Sequence, residues 1–157
     1  MRSWSDEEVA ARACRLLANR PESSETVAGL VPRRAPTVVI ADDDATSLTI
    51  LRNTLESYGV ECRTAEEGEQ ALKMIQAAPP DVAILDVMMP NMDGFEVLAA
   101  IRNDRALKNV RIMMLTALQQ ENDIVRGFGL GADDYMIKPF SPVEIGARLK
   151  RLLRKQP

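Results

Sequence analysis

The sequence has 157 residues, 46% apolar and 27% charged, with a net charge of −3, and at roughly 150 residues per domain this predicts one core and excludes a regulatory domain joined to a full catalytic one. No run approaches the roughly 20 apolar residues that cross a bilayer, the acids in MRSWSDEEVAAR interrupt any signal peptide, and Cys14 and Cys62 are too few for a disulfide scaffold, so a soluble cytoplasmic protein without membrane partners is expected. Histidine is absent from the sequence, which excludes imidazole general bases, Ser-His-Asp triads, histidine-ligated zinc and a phosphohistidine carried by this chain.

Six basic residues stand against five acidic ones up to Pro36, and 14 against 18 beyond it. A phosphate-backbone binder needs clustered Lys and Arg with aromatics to stack on, whereas this chain has six aromatics, and its one basic cluster (Arg148, Lys150, Arg151, Arg154, Lys155) ends a predicted helix, where it complements the dipole. Direct nucleic-acid binding is not expected.

In chain order, Ser5 followed by Glu8 forms a capping-box pattern, with Trp4 placed to staple against Val9; a helix over 6–19 follows, apolar on the face of Val9, Ala13, Leu16 and Leu17. PESSETVAGLVPRRAP reads as a connector. Residues 1–36 are thus expected to be a helical extension and linker, too short to fold alone. From Thr37 the pattern changes. Five short apolar runs read as strands: TVVIA (37–41), VECRT (60–64), VAILD (82–86), RIMMLT (111–116) and DYMI (134–137). Between and after them, residues 46–57, 68–76, 94–102, 121–129 and 142–154 carry apolar residues at helical spacing. Alternating β and α segments predict an α/β fold, a doubly wound parallel sheet with helices on both faces, and place any ligand beyond the carboxyl ends of the strands.

At those ends stand Asp42-Asp43-Asp44, Asp86, Thr116 and Lys138-Pro139. Asp42 to Asp44 alone would read as helix-capping acids. Together with Asp86, the carboxylates of Asp42 and Asp43 would repel one another in a cleft, and a hard divalent cation with oxygen ligands is the expected compensation. Mg2+ fits best, completed by a backbone carbonyl just past the third strand and a phosphate oxygen, which makes a phosphoryl-transfer site. Asp44 and Asp93 read as capping or turn residues, and Met88, Met89 and Met92 as loop packing.

The segments VVIADDD, DVAILDVMMPNMDG, IMMLTA and GADDYMIKPF, at separations of 43 (Asp43 to Asp86), 30 (Asp86 to Thr116) and 22 (Thr116 to Lys138), resemble the receiver domain of two-component response regulators over residues 37–155. The resemblance assigns residues 37–157 to that domain and implies a flavodoxin-like sheet of order 2-1-3-4-5. It implies Asp86 as phosphoacceptor and Mg2+, with Mn2+ as a substitute, on Asp42, Asp43, Asp86 and the Met88 carbonyl. Thr116 and Lys138 would contact phosphoryl oxygens, Tyr135 would be the aromatic switch, and the Lys138–Pro139 bond would be cis. The implied donor is the phosphohistidine of a sensor histidine kinase or phosphotransfer protein. On this reading the chain is a phosphorylation-dependent switch, not an enzyme beyond catalysing its own phosphorylation and dephosphorylation. Phosphorylation would draw Thr116 toward the phosphoryl group and turn Tyr135 inward, repacking the surface of helix four, strand five and helix five for a downstream protein. Moving such a switch from 1:99 to 99:1 takes about 5.5 kcal/mol.

Two other readings stand beside it. Asp42-Asp43-Asp44-Ala45-Thr46 also matches the DxDxT motif of haloacid-dehalogenase-type phosphatases, with Asp42 as nucleophile, but that motif set lacks an acidic pair after Lys138 and leaves Asp86 unexplained. A receiver-like interaction module that does not switch would have lost one of the essential acids, and none is missing. In winged-helix regulators the same helix-four to helix-five face dimerises through cross-subunit ion pairs. Asp134, Glu144 and Arg148 match that set, whereas Ile124 and Gly129 replace a basic and an acidic member, so any homodimer is expected to be weakened or differently built. Met88 and Leu118 flank the expected path of an attacking water, which predicts slow phosphate loss. The sequence ends at Pro157 after the last predicted helix, and either a stand-alone receiver or part of a longer protein is expected.

Overall fold

Five strands form one parallel sheet in the order β2-β1-β3-β4-β5 in the computed structural model, which describes residues 34–117 and 121–154. They are β1 (Thr37–Ala41), β2 (Glu61–Ala65), β3 (Val82–Asp86), β4 (Arg111–Thr116) and β5 (Asp134–Ile137). The helices are α1 (Ala45–Glu56), α2 (Gly68–Ala77), α3 (Gly94–Arg102), α4 (Glu121–Gly129) and α5 (Pro142–Arg154), with a 3-10 turn at Arg105–Leu107. The helix expected over 6–19 and the connector as far as residue 33 lie outside the described residues, as does Leu118. Sheet order and class are those expected.

The strands stand where their apolar runs put them because successive side chains point to opposite faces and both faces are covered. Val38, Ile40, Ile84, Met113 and Leu115 pack with Leu48, Leu51 and Leu55 of α1 and Ile145, Leu149 and Leu152 of α5. Val39, Ala41, Leu85, Ile112 and Met114 pack on the other face with Ala71 and Ile75 of α2 and Phe95, Leu98 and Ile101 of α3, and Ile124 of α4 joins them. β3, central in the sheet, is buried throughout.

Three elements differ from expectation by one residue: α1 runs over Ala45–Glu56 in place of 46–57, β2 over Glu61–Ala65 in place of 60–64, and α2 ends at Ala77 in place of 76. α1 begins at Ala45 because Asp44 caps it, its carboxylate accepting from the N–H groups of Thr46 and Ser47. β2 begins at Glu61, the residue in register with Thr37; Val60 is buried but precedes the ladder.

The order reverses between β1 and β3, whose neighbours lie on opposite sides, so the crevice above their carboxyl ends is the natural ligand site. At the other end of the sheet, Arg102 ties α3 to the entry of β4 and β5. Its guanidinium donates to the carbonyls of Gly131 (2.9 Å) and Val110 (2.8 Å) and to Asp133 (2.9 Å), which also accepts from the Ile112 N–H.

Candidate functional site

Asp42 is the first residue past β1, and its N–H donates to the Ala65 carbonyl at 3.1 Å, which extends the β1–β2 ladder by one step and holds the side chain over the crevice. The carboxylate is fully buried. Its Oδ1 accepts the Asp44 N–H at 2.9 Å and its Oδ2 the Lys138 ammonium at 2.6 Å. Asp43 is exposed, and Asp44 is occupied as the α1 cap.

Asp86 ends β3 and is nearly buried. Oδ1 accepts the Met88 N–H at 3.2 Å, and Oδ2 lies 3.3 Å from the Lys138 ammonium. Burial, followed by repulsion from Asp42, pushes the Asp86 carboxyl up to about 6 despite the opposing lysine. Burial alone would lower the Lys138 ammonium, but its hydrogen bond to Asp42 and the charges of Asp86 and Asp42 hold it above the ordinary lysine value. Lys138 arrives through the β5–α5 connection, where its N–H donates to the Thr116 carbonyl at 2.7 Å and its bond to Pro139 is cis.

Ligand oxygens of Asp42, Asp43 and Asp86 come within 4.8 Å of one another. Three carboxylates, hard oxygen donors from two strand ends, are the donor set that suits Mg2+.

Thr116 ends β4 and is buried. Met114 pairs with Tyr135 in the β4–β5 ladder, and Thr116 lies two residues beyond Met114, so Thr116 and Tyr135 project from the same sheet face. The Tyr135 ring is 7% exposed and lies inward, 6.3 Å from the Phe128 ring between centroids.

Loop chemistry after β3 aims the site. Asp93 and Glu96 form a capping box that starts α3, and the Gly94 N–H donates to the Val87 carbonyl at 2.9 Å. A Cβ at Gly94 would overlap the carbonyl oxygen of Asp86, so only glycine lets α3 approach the acceptor strand this closely. The MDG segment reads as turn chemistry in the sequence; the close approach to Asp86 has no sequence signal beyond the glycine itself. The expected packing role of the three loop methionines holds for Met89, which is buried, and Met92, which is partly buried, but not for Met88, which is 61% exposed beside Asp43. The Met88 N–H is held toward Asp86, and its side chain is exposed.

Two residues that the sequence did not single out also border the site. Arg126 of α4 stacks over the Phe95 ring at 4.5 Å, and with Asp43, Met88 and Asp123 they line a groove beside the acids. Their partners are about 30 positions apart in the chain, and no local pattern connects them.

The sheet order and the acid–lysine crevice at its switch point are the arrangement expected of a receiver domain. Residues 38–150 match the family model of the response regulator receiver domain, and the chain belongs to that family, the receiver domains of two-component response regulators. It is 45% identical over 118 residues to the alkaline phosphatase synthesis transcriptional regulatory protein PhoP of Bacillus subtilis (strain 168), covering 75% of this chain and 48% of that protein. It is 47% identical over 118 residues to "Probable transcriptional regulator ycf27" of Guillardia theta, covering 75% and 45%. The chain therefore spans about half the length of the curated relatives it matches. The structure of Vibrio cholerae chemotaxis protein CheY4 superposes with a TM-score of 0.73 at 35% identity, covering 76% of this chain and all of that one. A phosphorylation-dependent signalling switch is the function of this family, and the phosphatase and inert-module readings are not favoured.

Proposed function

We propose that residues 37–157 receive a phosphoryl group on Asp86 and that residues 1–36 are a separate extension and linker. The observation that carries the assignment is the contrast between the two buried acids. Each accepts one backbone N–H, Asp42 from Asp44 and Asp86 from Met88, but Asp42 is fully buried on the shorter contact to Lys138 (2.6 Å), whereas Asp86 has the longer one (3.3 Å) and retains some exposure. Asp86 is therefore the more reactive oxygen nucleophile, and Asp42 the fixed one; this also argues against Asp42 as a phosphatase nucleophile.

In the proposed step an ionised Asp86 oxygen attacks the phosphorus of a phosphohistidine in line. The P–N bond breaks, and the histidine nitrogen leaves with the electron pair. Lys138 neutralises charge on the entering phosphoryl oxygens and the Thr116 hydroxyl hydrogen-bonds one of them. Asp42, Asp43, Asp86 and the Met88 carbonyl would hold Mg2+, or Mn2+ in its place. Bound there, the dication supplies the positive charge that lets an anionic donor approach a carboxylate.

The donor is a sensor histidine kinase or a phosphotransfer protein in the cytoplasm, and the chain catalyses only its own phosphorylation and dephosphorylation. Among the described residues no helix is long and apolar enough to cross a membrane. Output passes through Thr116 and Tyr135 to the α4–β5–α5 surface, where Val125, Phe128 and Val143 are exposed apolar side chains suited to a protein target. On that surface Arg148 and Arg151 both engage Asp134 of the same chain (2.6 and 2.8 Å), and Arg148 also engages Glu144 (3.3 Å). A homodimer through this face must exchange those pairs, which supports a weak or differently built dimer; sedimentation with and without beryllofluoride tests it, and equal masses in both states would remove a phosphorylation-linked dimer. The exposed Met88 side chain supports slow phosphate loss, and a half-life of seconds would contradict that. The assignment of the acceptor is tested by phosphopeptide mapping after acetyl phosphate treatment: label on Asp86 is expected, and label on Asp42 would overturn it.

A further inference from the structure

The backbone of Gly127 in α4 faces the Tyr135 ring. A Cβ at Gly127 would lie 3.2 Å from both Cδ2 and Cε2 of Tyr135, a few tenths of an ångström closer than such atoms ordinarily pack, and 3.4 Å from Cε1 of Phe95, at the edge of ordinary contact. Two residues on, a Cβ at Gly129 would meet nothing within 4 Å. The same helix thus carries two glycines, both unfavourable for helix formation relative to alanine, and only one of them stands against a buried ring.

Among the described residues the ring is held inward by apolar contact alone. Its hydroxyl is buried and has no hydrogen-bond partner among the described residues, which opposes the inward position, while the surrounding Phe95, Phe128 and Met114 side chains favour it. The two effects oppose each other, so a small change in the space available to the ring shifts its position.

We propose that Gly127 is a positioning residue for the switch: by lacking a Cβ it forms the seat in which the Tyr135 ring lies under α4, and it thereby sets the population of the inward ring. The inference deepens the proposed function and rests on Tyr135 and Thr116 acting as one unit. Thr116 shares the sheet face with Tyr135 and stands at the strand end beside the acceptor. A side chain that closes the seat therefore lowers the fraction of chains competent to hold a phosphoryl group, and the apparent affinity for a phosphoryl analogue falls by that fraction.

Gly127→Ala and Gly129→Ala in the full chain give the test, because both add the same methyl to the same helix. The first readout needs no donor. The sequence has two tyrosines, and dye-sensitised photo-polarisation of their ring protons marks those open to solvent, with the partly exposed Tyr58 as internal reference. The wild type and Gly129→Ala should polarise Tyr58 only, and Gly127→Ala should polarise Tyr135 as well. The second readout is beryllofluoride affinity in Mg2+: Gly127→Ala should bind about fivefold or more weakly and Gly129→Ala within about twofold of wild type. In a Tyr135→Leu background Gly127→Ala should change nothing further. A Tyr135 ring that stays unpolarised in Gly127→Ala overturns the proposal, whatever the affinities. A wild type that binds no beryllofluoride overturns the phosphoacceptor reading instead, with the ring readout still deciding the seat. Should Gly127→Ala fail to fold, adding Tyr135→Leu restores folding if the clash is with the ring, and failure to restore it overturns the proposal.

Discussion

The ammonium of Lys138 lies 2.6 Å from the carboxylate of Asp42, a fully buried residue 96 positions earlier in the chain. The same nitrogen is 3.3 Å from Asp86, so one cation serves two acids that would otherwise repel each other. This shared contact makes the crevice tolerable to the fold and attractive to an incoming anion.

Lys138→Met leaves Asp42 and Asp86 facing each other without a cation. Losing one member of a buried charge pair costs about 3–5 kcal/mol, and millimolar Mg2+ should recover part of it by binding only the folded acids. Urea unfolding of the variant in chelator and in Mg2+ measures both. Stability equal to wild type in chelator would show that the lysine does not balance the acids.

Asp86→Asn should stabilise the magnesium-free protein. The Asp86 carboxyl titrates at about 6 in the fold against 3.8 ordinarily, mainly through burial and the charge of Asp42. The folded state therefore binds this proton more tightly than the unfolded chain, so stability falls as pH rises from about 4 to about 6 and stays reduced above that. Asparagine removes the effect: the variant should be more stable by on the order of 1–3 kcal/mol at pH 7 in chelator, with the difference closing below about pH 4. Denaturant titrations across that range check the sign, and a difference that grows on acidification would contradict it.

Gly94→Ala places a methyl on the Asp86 carbonyl oxygen. Overpacking of this kind costs about 1–3 kcal/mol, and because α3 must shift away from the acceptor strand, beryllofluoride binding should weaken as well. Calorimetric unfolding with a parallel binding titration separates the two effects.

Cys62 lies on the edge strand β2, where burial and then the Glu56 charge push its thiol up to about 11 against the opposing Arg52. Thiolate is the reactive form, so with Cys14 replaced by serine, alkylation at pH 8 should run about 100-fold slower than for free cysteine. A rate matching free cysteine would show the thiol to be open.

The layout of the domain was legible because it rests on local pattern. VAILD is an unbroken apolar run and forms the strand buried on both faces; Asp44 and Asp93 sit where capping chemistry puts them. The convergence of Asp42, Asp43, Asp86 and Lys138 followed from the α/β rule that strand ends meet at one crevice. What stayed hidden depends on distance in space. The Arg102 bonds to Gly131 and Asp133 span 29 and 31 positions, and the contact of Gly127 with Tyr135 depends on the crossing of α4 over the sheet. The Met88 side chain reads as packing because it is apolar, whereas in the fold it is exposed and the residue's N–H is the part that serves Asp86.

The most direct test of the account is acid-stable mapping of the modified residue after borohydride reduction of acetyl phosphate-treated protein. The account predicts that the reduced product, homoserine, appears at Asp86 alone and is absent from Asp86→Asn. Homoserine at Asp42, or equal phosphoryl incorporation into Asp86→Asn and wild type, would contradict it.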